Sequence, residues 1–279
     1  MSQVVQVALL GVTGRLGRAI GKAVLQAPDF ALSGAVVRAG SPSEGEDIGD
    51  WLIGQPCGCR AVVALDEAVA GADIVIDASL PRMTVATAEH LAGRGGPPLV
   101  SGVTGFDREQ EDRLAAAART LPLLSTGNFS LGIALAQALI AQAAGRLRAR
   151  DWDIEVEETH HRMKPDAPSG TALMLGRAAA DARGEDLDRI ATPARHGTTG
   201  PRQPGSIGFA VTRGGTIVGE HAVRFLGDME EIAISHRAFD RSIFANGALE
   251  AARWMAHDGA GRPAGLYSMQ DVVLDEAGS

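Results

Sequence analysis

Short apolar runs alternate with alanine-rich stretches through the first half of the chain, and that rhythm predicts strands joined by helices. The apolar runs fall at residues 4–10, 34–37, 61–64, 73–78, 98–101 and 121–125, with helical patterns at 67–69, 84–93 and 107–119 between the later ones. Strands and helices alternating at this spacing imply βαβ units, hence a parallel sheet wound on both faces. After a long alanine-rich helix over 131–147 the pattern changes. Strand-like runs at 152–156, 207–213, 217–225 and 230–236 have little helix between the last three, which predicts a second, mostly antiparallel or mixed sheet, open on one face. Gly214-Gly215 is the expected hairpin turn between two of these strands. Residues 181–205, rich in Gly, Pro, Arg and Thr, form a long loop, and 244–257 returns to helix. There is no internal repeat.

The first apolar run ends in Gly11-Val12-Thr13-Gly14-Arg15-Leu16-Gly17 and an apolar-periodic stretch to Leu25, so strand, glycine turn and helix follow one another. The spacing is a variant of the dinucleotide fingerprint, with Thr13 where the second glycine usually stands. Its physical logic survives: Gly11 makes the tight turn, Gly14 lets backbone approach a pyrophosphate, and Gly17 permits close packing of helix on strand. A structural turn without a ligand is the competing reading. The residue closing the second strand discriminates cofactors, because an acid there holds a ribose hydroxyl whereas an arginine suits a 2′-phosphate. Here that residue is Arg38, while Glu44 and Glu46 lie further on in a loop with no evident reason to fold back. NADPH is therefore expected over NADH. Ligands on such a sheet lie beyond the carboxyl ends of its strands. Gly102-Val103-Thr104 and Thr126-Gly127-Asn128-Phe129 occupy those ends, small enough to admit a flat ring and a backbone contact.

In the second half, Glu158-Thr159-His160-His161-Arg162-Met163-Lys164 leads into Pro165-Asp166-Ala167-Pro168-Ser169-Gly170-Thr171-Ala172. The histidines stand where a strand runs out into a loop, a common place for catalytic groups. Ser169 is the expected N-cap of a helix over 170–180, leaving the N–H groups of Gly170 and Thr171 free to bind carboxylate or phosphate. Metal binding is disfavoured, because neighbouring strand residues point to opposite faces and no third Cys or His has ligand spacing. A solvated polar loop is the stronger competitor.

With 279 residues, 45% hydrophobic and 22% charged, the chain is a soluble globular protein of one large or two moderate domains. A formal net charge of -8 argues against a general nucleic-acid surface. No leader and no membrane-length apolar run is evident, so a cytoplasmic protein is expected. The two cysteines, Cys57 and Cys59, are too few for a disulfide framework or a zinc site and read as ordinary thiols.

Glu158-x-His160-His161-x-x-Lys164-x-Asp166-x-Pro168-Ser169-Gly170-Thr171-Ala172 resembles the signature of the dihydrodipicolinate reductases of lysine and diaminopimelate biosynthesis. The resemblance continues through Gly11–Gly17, Gly102-Val103-Thr104-Gly105-Phe106-Asp107, Asn128-Phe129-Ser130, Ile217-Val218-Gly219-Glu220-His221, Phe244-Ala245-Asn246-Gly247-Ala248 and Gly265-Leu266-Tyr267. It implies a Rossmann-like nucleotide-binding domain over 1–130, completed by 245–279, and a central domain over 131–244 that binds substrate and builds a homotetramer. It also implies reduction of a cyclic imine bearing two carboxylates. His160 and Lys164 would be the catalytic pair, and His161, Ser169, Gly170 and Thr171 would hold a carboxylate, with Arg241 a candidate extra cation. A lysine ammonium ordinarily titrates near ~10.4 and can donate a proton at neutral pH, and a histidine near ~6.5 can donate or relay one. Where the family carries an arginine between Ser79 and Pro81, this chain has Leu80. Two other classes stay open: an amino-acid dehydrogenase acting on a linear substrate, and a non-catalytic nucleotide-binding module.

Overall fold

The computed structural model describes residues 4–256 and 261–275. They form two compact units, one from the segments up to Ser130 and from Ser242 onward, the other from Leu131–Arg241.

The first unit opens with β1 (Val5–Leu10), α1 (Arg15–Gln26) and β2 (Phe30–Val36). It continues through α2 (Ile48–Ile53), β3 (Ala61–Val62), α3 (Leu65–Val69), β4 (Ile74–Asp77), α4 (Pro81–Arg94), β5 (Leu99–Ser101), α5 (Arg108–Ala117) and β6 (Pro122–Ser125). The near-continuous apolar character of β1, β4 and β5 marks strands covered on both faces, and all but the first residues of β1 are buried. The sheet has seven strands, all paired in parallel. With β12 (Gly265–Tyr267) at one edge, its order, β12-β6-β5-β4-β1-β2-β3, reverses direction of growth between β1 and β4. That reversal places a ligand crevice at the carboxyl ends of those two strands. The seventh strand comes from far along the chain: after the second unit, α9 (Ser242–Met255) packs on α1, and β12 pairs with β6. The periodicity did not signal β12, a strand of three residues, or α2, whose start is fixed by a side chain: the Asp47 carboxylate accepts from Gly49 N–H at 2.8 Å. His257, expected at the end of the last long helix, lies outside the described residues.

Asp47 also accepts from the N–H groups of Cys57 (3.0 Å) and Gly58 (2.8 Å), which holds its carboxyl down at about 2. Both cysteines are free thiols, and burial pushes Cys59 up to about 12.

In the second unit, α6 (Leu131–Arg146) leads to β7 (Asp153–His160), α7 (Gly170–Ala182), α8 (Leu187–Ile190), β8 (Ala191–Thr192), β9 (Ile207–Arg213), β10 (Gly219–Leu226) and β11 (Glu231–Ala238). One face of the sheet packs under α6 and α7 through Ile133, Ile140, Ile154, Val156, Leu175, Phe209, Val223 and Phe225. The strand order is β11-β10-β7-β9-β8. β10 pairs antiparallel with both β11 and β7, whereas β7 with β9 and β9 with β8 are parallel, so the sheet is evenly mixed. Parallel pairing of β7 with β9 needs a long crossover. Residues 161–206 supply it, and the stretch expected to be one long loop contains α8 and β8.

Gly214-Gly215 is not a hairpin turn, because β9 and β10 flank β7 and never meet. The pair extends the β7–β9 pairing instead: Gly214 N–H donates to His160 C=O at 2.9 Å and Arg162 N–H to Gly215 C=O at 3.3 Å. Residues 217–218 are spent crossing the end of β7, so β10 begins at Gly219.

Candidate active site

At the switch point of the first unit, Gly11 has φ +76, a conformation that glycine adopts without strain. The turn closes through Gly14 N–H to Gly11 C=O at 2.9 Å, and α1 starts on Gly14 with no side-chain cap. The first N–H groups of a helix of this length, left without a cap, suit a phosphate. Thr13, Gly14 and Arg15 are exposed, whereas Val12 and Gly17 are buried and Leu16 is half-buried, so the turn presents its backbone and Arg15 at the surface. The loops after β4, β5 and β6 are stitched together by Gly102 N–H to Asp77 C=O and Thr126 N–H to Ser101 C=O, each 3.0 Å. Val103 is buried, Thr104 exposed, and Gly127 exposed beside it. Thr126 Oγ donates to Asn128 C=O at 2.9 Å and the Asn128 side chain accepts from Ser130 N–H at 2.9 Å, which pins the segment. Phe129 is buried against Gly102, where a Cβ would lie 2.2 Å from its ring. These residues fit a dinucleotide: an uncapped helix start, a glycine turn and small strand-end residues share one end of one sheet.

Arg38 is exposed just past β2. Glu44, expected to stay away, does fold back, its carboxylate accepting from Gly40 N–H at 2.9 Å. The reason is the turn at residues 41–46, closed by Glu44 N–H to Ser41 C=O and Gly45 N–H to Ala61 C=O. Leu80 is the exposed residue at the start of α4 and makes no side-chain cap there.

In the second unit, every other residue of β7 faces the core, which buries Glu158 and His160 on one side while Thr159 and His161 lie partly exposed. The two neighbouring histidines therefore diverge, as the pleat requires. His160 Nδ1 bonds the Glu158 carboxylate, and Arg213 at the end of β9 grips the same carboxylate with two 2.9 Å hydrogen bonds. Ser169 N–H donates to it as well, at 2.9 Å. Burial alone would raise the Glu158 carboxyl; Arg213, the Ser169 N–H and His160 together hold it below the usual carboxylate range. Burial depresses His160, partly countered by Glu158 and reinforced by Lys164 and Arg213. His221 of β10 stands edge-on to His160 with ring centroids 5.0 Å apart, and burial first, then His160, brings it down to about 4.

Ser169 caps α7 through Ala172 N–H at 3.2 Å, as its position predicts, and its hydroxyl also meets His221 Nε2 at 3.2 Å. It is buried, with its N–H on Glu158 and its Oγ on Ala172 N–H and His221, and so sets the helix start. Asp166 stands close to the start of α7. Asp166 turns its carboxylate toward Lys164 Nζ at 2.9 Å, and Lys164 first, then its own and the Gly170 N–H groups, hold that carboxyl below its usual range. The Asp166 carboxylate thus lies on the ammonium, next to the start of α7. Arg241 does join the group: its guanidinium lies 3.0 Å from His161 Nε2.

Glu158, His160 and His221 bring three ligand-type atoms within 4.8 Å, a set invisible to spacing because His221 comes from another strand. Arg213 lies on that same carboxylate, and a guanidinium at hydrogen-bond distance opposes a cation there. The chemistry of the set is that of a hydrogen-bonded network. Glu158, Arg213, His221 and Asp166 carried no assigned role in the sequence. Glu158-x-His160 is the one legible signal, since residues two apart on a strand share a face.

A doubly wound parallel sheet with a glycine turn at its switch point is a nicotinamide-dinucleotide-binding fold. The model for "Dihydrodipicolinate reductase, N-terminus" matches residues 5–129 and that for "Dihydrodipicolinate reductase, C-terminus" matches residues 132–273. The 4-hydroxy-tetrahydrodipicolinate reductase of Caulobacter vibrioides is 47% identical over 273 residues, covering 98% of each chain. That of Allorhizobium ampelinum is 47% identical over 268 residues, covering 95% of this chain and 96% of the relative. Among solved structures, the dipicolinate-bound dihydrodipicolinate reductase from Paenisporosarcina sp. TG-14 superposes with a TM-score of 0.74 at 18% identity, covering 95% of this chain and 98% of that one. The chain belongs to the dihydrodipicolinate reductase family.

Proposed function

We propose that this protein reduces the cyclic imine of the lysine and diaminopimelate pathway to tetrahydrodipicolinate, taking either dihydrodipicolinate or the 4-hydroxy-tetrahydrodipicolinate ring, whose hydroxyl leaves as water. The observation that carries the reading is the loop after β7, which gathers His160, His161, Lys164 and the α7 start, beside family membership over both units. Nicotinamide supplies the hydride when bound. The carbon left enamine-like then needs a proton, and the substrate's carboxylates need positive partners. Lys164 serves as proton donor with His160 as donor or relay. His161, Arg241 and the start of α7 at Ser169, Gly170 and Thr171 hold a carboxylate, which takes over from Asp166 its place on Lys164. A binding-only module needs no proton donor beside a carboxylate cradle, and family membership over both units favours the cyclic imine over a linear amino acid.

Cofactor binding is assigned to Gly11, Val12, Thr13, Gly14, Arg15, Leu16 and Gly17, to Gly102, Val103 and Thr104, and to Thr126, Gly127, Asn128 and Phe129, with Arg38 on a 2′-phosphate. NADPH is preferred and NADH is accepted. Exposed Arg38 supports the preference; the inward turn of Glu44 engages Gly40 and leaves the arginine in place. A homotetramer in the cytoplasm goes with this reading. Met229 and Phe239, 95% and 84% exposed at the two ends of β11, supply uncovered apolar surface suited to a subunit interface. Among the described residues no helix is long and apolar enough to cross a membrane.

The test is oxidation of NADPH and of NADH by the purified protein, with the imine made in place from pyruvate and aspartate semialdehyde by the preceding synthase. Rapid imine-dependent oxidation is the expected result; its absence in a folded, NADPH-binding protein would overturn the assignment. In the same assay Arg38→Ala is expected to lower kcat/KM for NADPH by about 10-fold or more and leave NADH nearly unchanged, since one hydrogen bond between charged groups contributes about 1.5–3 kcal/mol. Equal losses with both cofactors would remove Arg38 from the 2′-phosphate.

A further inference from the structure

We infer that Glu158 and Arg213 form a buried positioning clamp that sets the tautomer of His160 and fastens the catalytic loop to the sheet. The inference rests on the role proposed for His160 and goes beyond it to two residues of no assigned function. Four bonds to one carboxylate carry it. Arg213 approaches with both Nη atoms at 2.9 Å, Ser169 N–H at 2.9 Å and His160 Nδ1 on the remaining side. The Glu158 side chain is fully buried, so these bonds replace all of its water.

Each bond reaches a different part of the site. His160 and Glu158 are on β7, Arg213 ends β9, and Ser169 begins α7. Arg213 also donates to Asp166 C=O at 2.5 Å, so the loop between β7 and α7 is tied at its middle by the guanidinium and at its end by the carboxylate. Lys164 lies inside the tied segment, two residues before Asp166. The clamp therefore fixes where Lys164 and the α7 start stand relative to His160.

The tautomer follows from acceptor chemistry. An ionised carboxylate can only accept, so the neutral imidazole must carry its proton on Nδ1 and leave Nε2 bare. Nε2 lies 3.0 Å from where a Cβ on Gly219 would stand, so any other residue there would crowd it. The same relation between carboxylate and imidazole orients the histidine of serine hydrolases, where an amide in place of the acid yields the wrong tautomer. The groups facing His160 are Glu158 on its own strand, Arg213 from β9, His221 from β10 and Lys164 from the loop, with His236 of β11 acting on His221. Of the four, Glu158 alone favours the protonated ring.

The experiment pairs nitrogen chemical shifts of His160 in the wild-type protein with kinetics of E158Q and R213K on the imine made in place. At neutral pH the wild-type ring is expected as the Nδ1–H tautomer, a result that needs no variant to fold. E158Q offers one acceptor oxygen for the four donors and is expected to lower kcat by about 10-fold or more, between the roughly 10- to 100-fold typical for partners of metal-bound histidines and the ~10⁴-fold of serine hydrolases. Its NADPH affinity should stay as in wild type, its Nε2–H tautomer should become populated, and the His160 titration should move to lower pH, because the group that raised it is gone. R213K keeps the charge without the fork and should fall between wild type and E158Q. A wild-type ring carrying its proton on Nε2 would overturn the inference, and so would a folded E158Q with unaltered kcat and pH profile. Full imine turnover by H160Q would instead sink the role proposed for His160, a failure distinguishable because the tautomer measurement does not depend on turnover.

Discussion

Lys164→Ala is expected to reduce kcat for the imine by about 10²- to 10⁴-fold, the usual contribution of a positioned proton donor. Two functions leave with the ammonium: the proton itself and one of the positive partners of a substrate carboxylate. The KM for the imine should therefore rise along with the fall in kcat. NADPH affinity should not change, because the dinucleotide residues all belong to the first compact unit whereas Lys164 belongs to the second. The lysine is partly exposed and pairs with exposed Asp166 at 2.9 Å, so its removal empties no core. A surface pair of this kind adds about 0–1 kcal/mol to stability. Steady-state rates at saturating NADPH, with the cofactor's dissociation constant measured separately, decide the matter. Parallel loss of turnover and NADPH binding would indicate a damaged fold, and retained turnover would give the proton transfer to another group.

What the sequence made legible divides along the range of the interactions. The glycine turn, the Ser169 cap and the divergence of His160 from His161 are local, each set by residues within one strand end or one helix turn, and the pattern of residue types is enough to place them. Arg213 and His221 are not local. They reach Glu158 and Ser169 only because β9 and β10 flank β7, an order that periodicity cannot supply, and the expected hairpin at Gly214-Gly215 would have set those two strands side by side. The same limit explains Asp166. As a loop acid before a proline-rich helix start it is unremarkable, and its position on Lys164 appears once the loop is folded. Glu44 folds back through a turn built from Ser41 and Gly45, residues whose loop-forming tendency was plain but whose direction was not.

Gly17→Ala is expected to weaken dinucleotide binding by about 100-fold and to destabilise the protein by about 1–3 kcal/mol or more, the cost of forcing an extra carbon into a packed site. The added Cβ would lie 2.1 Å from the Gly11 carbonyl oxygen, 2.7 Å from its carbon and 3.0 Å from Val12 Cα. All three are backbone atoms, so no side chain can turn aside. Either α1 moves off β1 or the turn changes shape. The turn has little freedom, because Gly11 already holds φ +76, its carbonyl accepts from Gly14 N–H at 2.9 Å, and a Cβ on Gly11 itself would lie 2.5 Å from Ala78 C=O. Either movement displaces the N–H groups at the α1 start from the geometry a pyrophosphate needs. Gly93→Ala is the matched control: the same added methyl, in α4 of the same unit, with open space around it and no positive φ. There alanine should stabilise by about 0.5–1 kcal/mol, because it narrows the unfolded chain's freedom and suits the helix. Thermal unfolding and NADPH titration of the two variants should therefore diverge in sign for stability and in presence for binding. Wild-type NADPH affinity in Gly17→Ala would show that the dinucleotide does not sit on this turn.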